Sequence, residues 1–205
     1  ATEKVVAEVI KPALDYIKGS GHLVLASSAG ALAGDAGSRN DFSFEVKHNT
    51  SGSSLDGSIS TTVRRAGRVY QVKGTTNRSL SVQPGATGGT GTYVGKASVR
   101  DITNSSNPVT IDANAILQIT VGDAGTSGAA DQIAITAWKS GGGLWFSSNW
   151  NGTGTAQQAL GGGTLEVRGG TSRVAQPAFA AARTAATSAS PERAAGEIPL
   201  TFAMP

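Results

Sequence analysis

The 205-residue chain has no cysteine, which excludes a disulfide framework, thiolate metal sites and cysteine nucleophiles. Stability must then come from packing and hydrogen bonding. Histidine is nearly as scarce. His22 opens one alternating segment, His48 closes another, and no G-x-S-x-G elbow accompanies them, so a Ser-His-Asp site is not expected. No run approaches the roughly 18 consecutive apolar residues that a spanning helix requires, so no membrane span is expected. Charge of one sign is missing too: 17 basic and 14 acidic residues are scattered to a net +3, which gives no footprint for nucleic acid. The single methionine is Met204 and the chain opens on Ala1, which reads as a product whose leader has been removed.

Glycine is plentiful, at 28 residues, while only 15% of residues are charged. With abundant Ser, Thr and Asn, this composition favours many short strands joined by tight turns in an all-β domain of ordinary size. In "DFSFEVKH", Phe42, Phe44 and Val46 alternate with Ser43, Glu45 and Lys47, one face buried and one wet. "AILQITV" and "DQIAITAW" repeat the pattern. Further strand candidates are "HLVLAS", "SISTTV", "RVYQVKG", "TYVGKASVR", "GLWFSSNW" and "GTLEVR". About nine strands with no room for crossover helices predict an antiparallel β-sandwich or flattened barrel over residues 19–170.

Two flanking segments differ. Residues 1–18 place Val5, Val9, Ile10, Leu14 and Ile17 at helical spacing, predicting a short amphipathic helix that Pro12 should kink and Gly19 should stop. Residues 171–205 form an Ala/Ser/Pro-rich tail that cannot bury enough apolar area to order itself, so its order is expected to come from intersubunit contact. Its end, "EIPLTFAMP", alternates Ile198, Leu200, Phe202 and Met204 with Pro199, Thr201 and Ala203, a pattern suited to strand addition on a neighbour's sheet edge.

Few segments offer chemistry. "ITVGDAGTSGAADQIAIT" places Asp123 and Asp131 in a glycine-rich loop between two apolar runs, the pattern of a β-hairpin. An EF-hand is excluded because the twelfth position from Asp123 is Ala134. Turn capping by the two carboxylates is the default reading, and a looser calcium site using them with backbone carbonyls is the alternative. No other cofactor is expected. "GATGGTGTYVGK" fails as a phosphate loop, since Ala97 follows Lys96 and both flanks are strands. "RRAGR", with Arg64, Arg65 and Arg68, reads as a solvated hairpin tip. No pair among the 14 acidic residues stands out for glycoside hydrolysis. Trp138, Trp145 and Trp150 cluster in a chain that is only 5% aromatic; they read either as core or as a stacking surface for sugars.

The β-region resembles the post-COAP domains, β-rich modules of bacterial extracellular proteins. The matching pieces are "GSGHL" (19–23), "FSFEV" (42–46), "LDGSI" (55–59), "GTYVGKASV" (91–99), "ITVGDAGTSGAADQIAI" (119–135) and "GGGTLEV" (161–167). The segment "RDITNSSNPVTIDAN" (100–114), the amphipathic start and the tail depart from that pattern. The resemblance implies a secreted β-sandwich with no catalytic residue to carry over. The expected function is therefore a noncatalytic structural subunit of an extracellular or cell-surface assembly, such as a filament, sheath or surface layer. Its partners would be copies of itself, joined through the N-terminal helix and the terminal segment. The alternative is a carbohydrate-binding or adhesion module that takes cell-surface glycans.

Overall fold

In the computed structural model the described residues are 15–125, 128 and 130–169. Val5, Val9, Ile10, Leu14, Ile198, Leu200, Phe202 and Met204 lie outside them. The described residues form β1 (Tyr16–Val24), β2 (Arg39–His48), β3 (Leu55–Arg65), β4 (Arg68–Pro84), β5 (Gly89–Asp101) and β6 (Val109–Asp123). These are followed by β7 (Gln132–Trp138), β8 (Leu144–Ser147), β9 (Gln158–Ala159) and β10 (Gly162–Arg168). Every pairing is antiparallel. The strands make one sheet in the order β10-β1-β2-β3-β4-β5-β6-β7-β8, with β9 beside β7.

The all-β, antiparallel expectation holds, but the sandwich of two sheets does not. A single continuous sheet curls into a half-barrel. Its physical basis is strand length: β4, β5 and β6 run for 17, 13 and 15 residues, and register shifts at Gly74/Thr76, Asn77/Ser79 and Ala97/Val99 let them bend. One strand thereby serves both walls, and no break into two sheets is needed.

The expected helix is corrected where it can be seen. Tyr16, Ile17 and Lys18 open β1, with Ile17 between Val46 of β2 and Val167 of β10. An aromatic and a β-branched residue followed by the inward-facing Gly19 suit a pleated surface better than a helical turn. Ile17, expected to serve assembly, is fully buried in its own domain and unavailable to a partner.

The core comes from the alternation already visible in β2, where Phe42, Phe44 and Val46 face inward, and from its counterparts Leu117, Ile119 and Val121 on β6. The two walls approach closely at Gly91 of β5, where an added Cβ would lie 2.7 Å from Ile17 Cγ2 of β1 and would push them apart, while one on Gly19 would lie 2.5 Å from Leu165 Cδ2 of the adjacent β10 and crowd its own wall. "RRAGR" is the hairpin tip expected of it. Ala66 and Gly67 form a two-residue turn with φ of 49° and 74° between β3 and β4, the twist-matched hairpin geometry.

Candidate functional site

The loop between β6 and β7 is built by its two aspartates, and they do more than cap a turn. Asp123 Oδ1 accepts from the Gly125 N–H at 2.7 Å, and Asp131 Oδ1 accepts from the Ala124 N–H at 3.1 Å. The second oxygen of each reaches a distant strand: Val167 N–H donates to Asp123 Oδ2 at 2.9 Å, and Leu165 N–H to Asp131 Oδ2 at 2.8 Å. Residues i and i+2 of a strand present their amides to the same edge. Two carboxylates at the ends of neighbouring strands thus satisfy the β10 edge that β1 leaves unpaired. β10 passes across the strand ends in turn, with Gly169 against Pro84, Val167 against Gly89 and Asp123, and Leu165 against Asp131.

Beside this corner lies an open cleft of about 400 Å³ lined by glycine-rich turns from Gly85 to Thr90 and by Gly122, Asp123 and Gln132. Among the described residues its one ionisable side chain is Asp123, already bonded on both oxygens. Calcium would need six to eight oxygen ligands, and each of the four carboxylate oxygens of Asp123 and Asp131 faces a backbone N–H. Such an ion would have to share with these N–H groups the lone pairs of the carboxylates that hold β10.

The tryptophans diverge. Trp145 packs against the core, donates from Nε1 to Asp112 Oδ2 at 2.8 Å, and has Lys139 Nζ 4.9 Å from its ring centroid. One indole face is therefore covered by an ammonium group. Asp112 also accepts from Ser140 N–H at 2.9 Å and Asn114 N–H at 2.9 Å. Burial alone would raise its pKa, but the hydrogen bonds from Ser140, Trp145 and Asn114 outweigh that and bring it to about 2. Trp138 is half-buried at the end of β7, paired with Ile116 and Leu144. Trp150 is half-buried, forms a β-bridge with Thr155 and donates its main-chain N–H to the Ser27 carbonyl at 2.6 Å.

The remaining charged candidates are separated. Arg64 pairs with Asp41 at 2.6 Å, Arg68 with Asp101 at 2.8 Å, and Arg65 donates to the Ala33 carbonyl at 3.0 Å. Burial would raise the Asp41 carboxyl, but Arg64 and Arg39 hold it below the usual carboxylate range. His22 borders Gly161 and Gly162, while His48 sits at the end of β2, where its N–H meets the Asp15 carbonyl at 3.1 Å.

A second feature concerns sheet edges. The outer edge of β8 is covered by the β1–β2 connection: Ala29 and Ser147 exchange hydrogen bonds, and Ala31 and Leu32 donate to Leu144 and Trp145. β4 is different. β3 pairs with it only from Arg68 to Lys73, whereas β5 follows it to Pro84. After Lys73, where the bulges begin, β3 and β4 part, and Asn77 fills the fork. Its Nδ2 donates to the Leu55 and Gly57 carbonyls at 3.3 and 3.2 Å, and its Oδ1 accepts from the Tyr93 hydroxyl at 2.8 Å. Burial pushes the Tyr93 phenol up to about 12. Past this plug, among the described residues, no strand pairs with the other edge of Arg78–Pro84. A groove of about 450 Å³ opens there, lined by His48, Ser53, Leu55, Arg78 and Leu80 among others.

No family model, curated protein or solved structure matches the chain. Asp112 and the open β4 edge escaped the sequence reading. A carboxylate flanked by alternating residues on β6 was the available signal for the first, and the unpatterned polar run "GTTNRS" for the second.

Proposed function

We propose that the chain is a noncatalytic structural subunit of a bacterial extracellular assembly, a filament, sheath or surface layer, in which copies are joined by exchange of terminal segments. The observation that carries this reading is where the chain ends leave the β-domain. Tyr16 and Arg168 are paired, so the start of β1 and the end of β10 lie side by side at one pole of the sheet. The two terminal sheet edges are meanwhile used internally, β10 by Asp123 and Asp131 and β8 by residues 29–32. An acceptor for an exchanged segment would therefore lie elsewhere on the sheet than its two terminal edges. The extracellular location is taken from the resemblance of the β-region to post-COAP domains.

Light scattering and negative-stain imaging of the full chain test the proposal, beside a Leu200→Asp, Phe202→Asp variant. Polymers are expected from the wild type, and folded monomers with unchanged melting from the variant. A wild type that stays monomeric across the concentration range, or a variant that polymerises equally well, would refute it.

A further inference from the structure

Resting on that reading, we infer that the acceptor for the exchanged segment is the outer edge of β4 from Ser79 to Gln83, and that its occupant is the Ile198–Met204 segment of a second copy. Three observations converge on this edge. It has no strand partner among the described residues, whereas both ends of the sheet path are covered from within. The groove beside it begins where β3 and β4 part at Asn77, leaving space along Arg78, Ser79 and Leu80. It lies beside the last described residue of the chain, since Gly169 is against Pro84.

The chemistry of the two strands matches. On β4, Leu80 and Val82 turn toward the core while Ser79, Ser81 and Gln83 are exposed. The donor has the same two-faced pattern, with Ile198, Leu200 and Phe202 on one face and Pro199 and Thr201 on the other. In a strand, the side chains of one face and the backbone groups of one edge belong to the same alternate residues. Pro199 has no N–H, so the residues bonding to β4 are Ile198, Leu200 and Phe202, which are also those whose side chains extend the Leu80–Val82 face. Ser79 to Gln83 spans about 13 Å at strand rise, enough for five donor residues. The 27 residues from Gly170 to Gly196 reach up to about 90 Å when extended, against a radius of gyration of about 15 Å for a domain of this size, so a neighbour's edge is within range.

The absence of native cysteine gives a clean test on the full chain. Thr201→Cys is combined in turn with Ser79→Cys, Ser81→Cys, Gln83→Cys and, as a control on a strand paired on both sides, Glu45→Cys. Adjacent strands bring Cα atoms to about 4.5–5.5 Å, within disulfide range. Mild oxidation followed by non-reducing electrophoresis should give a ladder of covalent multimers for at least one β4 pair, at no less than tenfold the yield of the control. A covalent monomer linking the two positions within one chain would overturn the inference, because the tail would then close on its own domain. Polymers that form normally but cross-link no better than the control would place the acceptor elsewhere and leave the exchange reading standing. A monomer without cross-links would end both.

Discussion

Replacing Asp131 by Asn changes one atom at the point where β10 is fastened, and its effect can be worked from the geometry. Asp131 is 1% exposed, and its two oxygens accept from Ala124 N–H at 3.1 Å and Leu165 N–H at 2.8 Å. Asparagine retains one acceptor and turns an NH₂ toward the other backbone donor, so one charge-assisted bond is lost and two donors face each other. A hydrogen bond to a charged group contributes about 1.5–3 kcal/mol, and an orphaned buried donor costs about 1–3 kcal/mol. These overlap, and a net loss of about 2–4 kcal/mol is expected, a fall in Tm of roughly 4–16 °C for a domain of this length. Asp123→Asn should cost less, near 1 kcal/mol, because Asp123 is half-exposed and water can replace part of its bonding. Denaturant unfolding gives the stability, and amide exchange at Leu165 gives the location. Faster Leu165 exchange with unchanged exchange in β2 is expected. A loss under 0.5 kcal/mol with Leu165 still protected would refute the claim that this carboxylate holds β10.

The Asp112 carboxyl has its pKa lowered to about 2, so it stabilises the fold above the unfolded value of 3.8, and that contribution disappears as pH falls from about 4 to 2. Allowing for solvent screening, about 1–2 kcal/mol should be lost there and be missing from the pH profile of Asp112→Asn, with Trp145 fluorescence as the local probe. Gly95→Ala should destabilise by roughly 1–3 kcal/mol, because the new methyl would meet the Tyr93 hydroxyl and come within 2.6 Å of the Thr76 carbonyl; unchanged melting would show that the Tyr93–Asn77 plug yields freely. Calcium should leave Tm unchanged relative to chelator, and a rise abolished by Asp123→Ala with Asp131→Ala would establish a site that stabilises the folded state by binding. Polysaccharide pull-down should retain little of the wild type; strong retention lost in Trp150→Ala with the fold intact would favour the glycan-binding alternative.

Strands were legible wherever one face is dry and one wet. β2 and the second half of β6 follow their apolar alternation, because burial on one face leaves period two as the only consistent pattern. Legibility failed where parity changes. Between Ala97 and Val99 the register of β5 on β6 jumps from Ala115 to Asp112, which turns Asp112 inward and leaves Ile111 39% exposed and Val109 59% exposed. A bulge of this kind is invisible to a counting rule, and "RDITNSSNPVTIDAN" accordingly read as an insertion when most of it continues β5 and β6. The two aspartates were read correctly as loop organisers, but their bonds to residues 34 and 44 positions away depend on how the sheet curls. The choice between sandwich and flattened barrel stayed open for the same reason, since alternation specifies faces and leaves open which strands share an edge; the single curled sheet is nearer the second.

Edges also decide whether strand addition gives an ordered assembly or unlimited aggregation. A long open edge accepts any extended apolar segment, which is why natural sheets shorten or block their edges. Here β10 is closed by carboxylates and β8 by a returning loop, and the stretch of β4 left open is bounded by the Asn77 plug at one end and by Pro84 at the other. The proposed donor carries matching limits, with Pro199 near its start and Pro205 at its end. A proline at each limit stops pairing from spreading beyond about five residues, and the edge that a docked donor itself presents lacks the Pro199 N–H needed to recruit another strand. Growth by repeated stacking on one edge is thereby disfavoured, while growth by one donor into one acceptor per copy remains open. The latter is the head-to-tail geometry that builds a fibre.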